Sequence, residues 1–405
     1  MKRALAVFFL LLPPAAAGQG TVYDLLLLHG RVVDPAGGRD GRFDVAISGG
    51  KIARIAPDLP PISGRIVVDA SGLLITPGLI DLTAHIDSAG AWSNVNPDHP
   101  ALRSGVTTVV DAGSTGYKNF EAFKTRVIDR ARVRVLAFLN LAAEGIAASG
   151  LTPRGFDPAA TAAMALRYPD IVVGVRAPSG EALDWEPLDR TLRAASGAKS
   201  IVLADPGAAP AGQAGALLAR LRAGDVVTFL YGLRTPLLNA EGQIQPAFEE
   251  ARRRGVLFDL GHGNDGLWFR IAAPAIAAGF FPDTVSTAMD KSSLLLPRAN
   301  MAATLSKLLN LGMPIEQLIE RATLRPARAL RRPQLGSLAE GAPADVAVLA
   351  VERGRFGFLD SGHARLNGEQ NIRCVLTIRD GAVVWDPDGR TRPDWQQAGP
   401  YSNYR

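Results

Sequence analysis

Five histidines and a single cysteine are the scarcest reactive side chains in this chain of 405 residues, so they bound its chemistry first. Cys374 stands alone, which excludes an internal disulfide and a Cys-x-x-Cys redox pair. Two histidines fall where an apolar run gives way to a loop. His85 closes Leu79-Ile-Asp-Leu-Thr-Ala-His, and His262 sits in Gly-His-Gly directly after Val256-Leu-Phe-Asp-Leu. An imidazole at a strand end can hold a metal or move a proton, and it can equally be a hydrogen-bonded structural group. The structural role is the default for His85, and the two roles stand level for His262. His29, His99 and His363 fall in turn-like or terminal segments, where surface or capping duty is expected. Asp81 is read as orienting its neighbours. Asp290 and Lys291 are read as a solvated loop, with a polar pair as the sharper alternative. The sequence carries no Ser nucleophile elbow, phosphate-cradling glycine loop or His-Glu-x-x-His helix. Gly-His-Gly-Asn-Asp-Gly (261–266) lacks the spacing of a dinucleotide fingerprint.

These side chains need elements to position them. Short Val-, Ile- and Leu-rich runs at 23–33, 44–55 and 65–75, punctuated by Gly-Gly, Asp-Pro and Ser-Gly, predict strands near the start. A second β-rich block is predicted at 345–351 and 371–384. Between them, candidate strands at 107–111, 133–139, 171–175, 200–204, 225–229, 256–260 and 284–286 alternate with helical patterns at 119–131, 158–168, 211–221, 246–254 and 300–311. Repeated strand–helix–strand units imply a parallel sheet, and eight of them close into a barrel with its site at the C-terminal strand ends.

Composition narrows the class. Apolar residues make up 47% and charged residues 20%, an ordinary globular balance. The net charge of +5 is scattered and aromatics are only 6%, so no nucleic-acid groove is expected. Lys2 and Arg3, the apolar run 4–12, Pro13-Pro14 and Ala15-Ala16-Ala17 have the grammar of a cleavable signal peptide, which points to the periplasm or exterior. The apolar run is too short to span a bilayer, and no membrane span is expected elsewhere.

The run Ile75-Thr-Pro-Gly-Leu-Ile-Asp-Leu-Thr-Ala-His-Ile-Asp87 resembles the first barrel strand of the amidohydrolase superfamily, Pro-Gly-x-Ile-Asp-x-His-x-His. Five further stretches follow in the expected order: 104–114, Phe-Asp-Leu-Gly-His-Gly (258–263), Pro-Asp-Thr-Val-Ser-Thr (282–287), 321–328 and 336–348. Together they resemble the dihydroorotase-like amidohydrolase/deacetylase branch over nearly the whole mature chain. The resemblance implies a pair of divalent metals at the barrel mouth that turn water into a nucleophile. Its ligands would be two His on strand one, a carbamylated Lys on strand four, His on strands five and six, and an Asp on strand eight.

Carried across residue by residue, that set is largely missing. Thr83 stands at the first His position and His85 at the second. Arg176 replaces the Lys, Asp205 or Ala204 falls at the strand-five His, Phe229 at the strand-six His, and Ala288 at the strand-eight Asp. Phe and Ala offer no lone pair, and zinc prefers Cys, His or carboxylate to Thr. Arg stays protonated and cannot be carbamylated. Arg176 and Asp205, on neighbouring strands, are expected to form an ion pair in the vacated site.

The expected fold is therefore α/β, a (β/α)₈ TIM-type barrel (76–334) with a small β-sandwich domain from 18–75 plus 335–392, after a signal peptide (1–17) and before a tail (393–405). The expected function is that of an exported amidohydrolase relative, a pseudoenzyme that binds a small molecule or a protein partner, with no cofactor. An anionic or amphipathic ligand would suit the Arg176 and Phe229 mouth. The alternative is a hydrolase of carbon–nitrogen bonds in cyclic amides or N-acyl compounds, using a single Zn or Mn, or none, around His85, Asp205 and His262. A homo-oligomer is a further expectation from the resemblance.

Overall fold

A computed structural model describes residues 22–86, 95–146, 155–180, 184–210 and 212–400. The leader expected at 1–17 lies outside the described residues. Two sheets organise the chain. The strands are β1 (Tyr23–Asp34), β2 (Arg39–Ser48), β3 (Lys51–Ala56), β4 (Gly64–Asp69), β5 (Leu74–Pro77), β6 (Leu79–Ala84), β7 (Val106–Gly116), β8 (Arg134–Asn140), β9 (Val172–Arg176), β10 (Ile201–Ala204), β11 (Val226–Val227), β12 (Leu257–Phe258), β13 (Val346–Leu359), β14 (Arg365–Arg379) and β15 (Ala382–Trp385). The helices are α1 (Asp98–Leu102), α2 (Phe120–Arg126), α3 (Pro158–Arg167), α4 (Glu186–Gly197), α5 (Ala214–Arg220), α6 (Pro246–Arg253), α7 (Phe269–Ala277), α8 (Lys291–Leu295), α9 (Met301–Asn310), α10 (Ile315–Ala322) and α11 (Leu324–Ala329).

Strands β6 to β12 lie side by side in chain order and pair in parallel. The extended segment 284–289 takes the eighth place. It bridges β12 through Asp259 and Thr284 and β6 through Ala84 and Met289, both in parallel. Backbone bonds on both sides close the ring, including His262 N–H to Ser286 O at 3.1 Å and Ala288 N–H to Thr83 O at 2.7 Å. The result is a TIM-type barrel. One apolar set, with Phe120, Phe123, Leu188, Leu217, Phe248 and Leu305, packs strands against helices. The alternate strand residues Ile80, Leu82, Val110, Phe138, Leu203 and Val226 fill the barrel, plugged from below by Ala327, Leu330 and Leu335.

The second sheet joins both ends of the described chain in the order β15-β14-β13-β5-β1-β2-β3. Strand β1 forks: its first half pairs with β4 and its second half with β5, with a register shift between Leu27 and Gly30. Residues from both arms, such as Leu25, Val45, Ile47, Val346, Val348 and Leu376, meet in one apolar cluster. The expected strands at 44–55 and 371–384 are each a hairpin. Gly49 and Gly50 (φ 57° and 74°) turn β2 into β3, and Asp380 and Gly381 (φ 48° and 78°) turn β14 into β15. Two successive positive φ angles are what a tight two-residue hairpin needs.

Candidate functional site

The loops after the barrel strands form the mouth, and strand β9 ends there in Arg176. Its side chain is buried, and its Nη2 donates to Asp205 Oδ2 in a close ion pair. Asp205 follows β10 and is fully occupied. Its Oδ1 accepts from Gly207 N–H at 2.7 Å, and its Oδ2 also accepts from the Ser179 hydroxyl at 2.8 Å. Arg176 Nε donates in addition to Ala177 O at 3.2 Å. The pair expected from the sequence is therefore present, and Ser179 joins it. No spacing rule could have revealed Ser179, which reaches Asp205 from the β9 loop.

His85 is half-buried beside this pair. Burial, and then the charge of Arg176, hold its imidazole down at about 4, against weaker opposing effects from Asp290 and Asp205. It is therefore a neutral donor and acceptor at physiological pH. Thr83 does not face the same space. Its hydroxyl lies 2.6 Å from Ser286 Oγ, and Ser286 donates to Asp259 Oδ2 at 2.6 Å. Thr228 and Thr284 also donate to Asp259, at 2.8 and 2.7 Å. Burial pushes the Asp259 carboxyl up despite these hydroxyls. Asp81, next in the wall, binds the Thr287 N–H at 2.8 Å and its hydroxyl at 2.5 Å, and burial raises it to about 7. That agrees with an orienting role.

Phe229 and Ala288 both hold left-handed backbone, at φ 63° and 43°. A Cβ on Gly263 would stand 3.4 Å from the Ala288 Cβ and 3.6 Å from the Phe229 ring, so the three adjoin. Asp290 is half-exposed and Lys291 exposed, as expected of a solvated loop, but the Asp290 carboxylate has a structural use. It caps α8 in a reciprocal box with Ser293 and accepts from Asn264 Nδ2. His262 stands apart from the Arg176 pair and is fully buried. Its Nδ1 lies 2.9 Å from Gly263 O and its Nε2 2.6 Å from Lys307 Nζ, which leaves neither nitrogen for a metal or substrate. Lys307 carried no expectation. Its signal was the one charged residue in the run Ala302-Ala-Thr-Leu-Ser-Lys-Leu-Leu.

The sequence profile of the amidohydrolase family matches residues 269–383. A deacetylase of Agrobacterium fabrum is 31% identical over 323 residues, which cover 77% of this chain and 79% of the relative. The chain belongs to the amidohydrolase family. A deacetylase of Enterococcus faecalis is 28% identical over 371 residues, covering 89% of this amidohydrolase and 99% of the relative. Among solved structures, an adenine deaminase superposes with a TM-score of 0.82 at 26% identity, covering 90% of this chain and all of that one. A dihydroorotase gives 0.80 at 26%, covering 89% and 99%.

Members of the amidohydrolase family usually carry a metal such as zinc, which sets a test for the residues of this one. A catalytic zinc normally takes three protein ligands. Among the described residues, no three His, Cys, Asp or Glu side chains converge on one point. His85 stands beside a fixed guanidinium, Asp205 is consumed by Arg176, Ser179 and Gly207, and Thr83 is turned to Asp259. Among the described residues, the donor set does not fit a metal.

Proposed function

We propose that this amidohydrolase-family barrel binds a small amphipathic molecule at its mouth and performs no metal-assisted hydrolysis. The observation that carries this reading is the Arg176–Asp205 ion pair standing on the two strands where the resemblance calls for ligands. The pair alters the ligand chemistry as well. With Asp205 attached, Arg176 presents a dipole rather than a free cation, which suits a neutral or zwitterionic polar group better than a simple anion. At the same end of the barrel, Leu233 after β11, and Leu295 and Leu296 after segment 284–289, are exposed apolar side chains available to the rest of such a molecule. The lysine–arginine start, apolar run and alanine triplet support export as part of the same proposal.

The second reading is hydrolysis of a carbon–nitrogen bond in a cyclic amide or N-acyl compound. The relatives favour it, since three at 28–31% identity are named deacetylases. His85, neutral at the mouth, is the side chain that would serve as base. Metal analysis separates the two readings. Protein purified without chelator and then offered zinc or manganese should hold less than about a tenth of an equivalent. One tightly held metal per chain would overturn the binding proposal, as would turnover of an N-acetyl substrate that His85→Ala abolishes.

A further inference from the structure

Lys307 is the largest cationic side chain buried without exposure in the described protein. It projects from α9, whose neighbouring residues hold the composite sheet: Ser306 Oγ accepts from Ile372 N–H at 2.8 Å, and Asn310 Nδ2 donates to Gln370 O at 2.7 Å. The Lys307 Nζ lies 2.6 Å from His262 Nε2 and 2.8 Å from Pro297 O. The first partner belongs to the loop after β12, and the second to the loop after segment 284–289. Both loops border the mouth. The His262 loop is also fastened from the β13–β14 turn, where Ser361 Oγ accepts from Leu267 N–H at 3.1 Å and Asp360 from Phe269 N–H at 3.0 Å.

We propose that Lys307 is the positioning residue of the mouth, a neutral amine that pins the His262 and Pro297 loops together and releases them when it takes up a proton. Hydrogen-bond accounting supports the neutral form. With Nδ1–H given to Gly263 O, His262 offers Nε2 as an acceptor, and the two N–H groups of a neutral amine satisfy Nε2 and Pro297 O. An ammonium would bring a third N–H, with no acceptor for it among the described contacts. The charges facing it also disfavour the cation. Arg298, from the loop after segment 284–289, repels it, and only Asp360, from the β13–β14 turn, compensates. Burial and Arg298 together hold the amine at about 7. Between that value and the ordinary 10.5, the unfolded chain binds a proton that the folded chain does not, so stability rises with pH across the window. The inference rests on the binding proposal only in giving the mouth a use.

The test needs no ligand, so its failure and that of the binding proposal are distinguishable. Equilibrium unfolding of the full chain is followed from pH 6.5 to 9.5 (about the predicted window). Hydrogen exchange of 261–268 and 296–300 is read at both ends and corrected for the intrinsic rate. In the wild type the contribution of Lys307 to stability should rise with pH, against the falling one of Asp81, and both loops should become several-fold better protected. Lys307→Met should leave the loops weakly protected at every pH and remove the slope that this lysine contributes. Lys307→Gln, a neutral donor that does not titrate, should keep the loops protected with no pH response. The proposal is overturned if wild-type loop protection does not change with pH, or if either variant keeps the wild-type response. Should Lys307→Met fail to fold, the glutamine variant decides alone.

Discussion

The Arg176–Asp205 contact is a buried ion pair at the mouth of the barrel. Both side chains are buried, so removing one leaves the other's charge uncompensated. Asp205→Ala is expected to lower unfolding stability by about 3–5 kcal/mol. Arg176→Met combined with Asp205→Leu should recover most of that loss, because an apolar pair of similar volume carries no desolvation penalty. A chemical-denaturation cycle over the single and double variants measures the coupling, and a single variant with an unchanged midpoint would remove the pair's structural role. Asp81 predicts a pH effect of the opposite sense to Lys307. Its carboxyl stands at about 7 in the fold, against an ordinary 3.8. The folded chain therefore keeps a proton that the unfolded chain loses, so this contribution is complete below 3.8 and is lost as pH rises through about 7. Asp81→Asn should flatten that fall without erasing it, since Asp259 is raised in the same direction. A stability profile as steep as the wild type's would count against the assignment.

Elements decide where those residues stand, and α8 is a compact example. A five-residue helix has almost no intrinsic stability, so it depends on its cap. Asp290 accepts from Ser293 N–H at 2.7 Å while Ser293 Oγ accepts from Asp290 N–H at 2.9 Å. Asp290→Ala should cost about 1 kcal/mol. It should also speed amide exchange in 291–296, and exchange at the wild-type rate there would show that tertiary packing holds α8 instead. This cap illustrates what the sequence leaves open. Aspartate followed by lysine reads as a charged loop, and only the chain's turn at residue 290 makes it a cap. Periodicity placed α3, α6 and α9 within a residue or two of their expected bounds, whereas α4, with 12 residues the longest helix described, was not among the expected ones. The strands expected at 225–229 and 256–260 are shorter, β11 and β12 having two residues each, although backbone bonds such as Thr228 N–H to Ala204 O continue beyond them. The Arg176–Asp205 pair was legible because two residues of opposite charge at the ends of neighbouring strands have to meet. The Asp259 hydroxyl cluster and the Lys307–His262 contact were not, since their members lie 25 to 176 residues apart.

At the scale of the molecule, the composite sheet and the barrel share polar joints as well as a chain crossing. Strand β5 of one sheet runs into β6 of the other through Pro77 and Gly78, and Gly78 N–H donates to Asp345 O at 2.8 Å. Thr107 Oγ1 would lie 2.1 Å from any Cβ placed on Gly78, so that crossing admits only glycine without rearrangement. Arg134, the first residue of β8, pairs with buried Asp345 just before β13 and reaches Asp380 in the β14–β15 turn at 2.9 Å. On the opposite flank, α9 holds β14 through Ser306 and Asn310. Two bodies tied by a part-buried ion pair and a packed helix should unfold together, although each has its own apolar cluster. Calorimetry of the wild type is therefore expected to show one transition with matching calorimetric and van't Hoff enthalpies. Arg134→Ala leaves Asp345 with only the Asp380 N–H of its described side-chain contacts and should cost about 1–3 kcal/mol. Because the loss falls on the joint, it should broaden or split the transition rather than simply lower its midpoint. Two separate transitions in the wild type would mean that the sheets are stabilised independently. The mouth, which takes Asp360 and Ser361 from one sheet and His262 from the other, would then have to form across a loose joint.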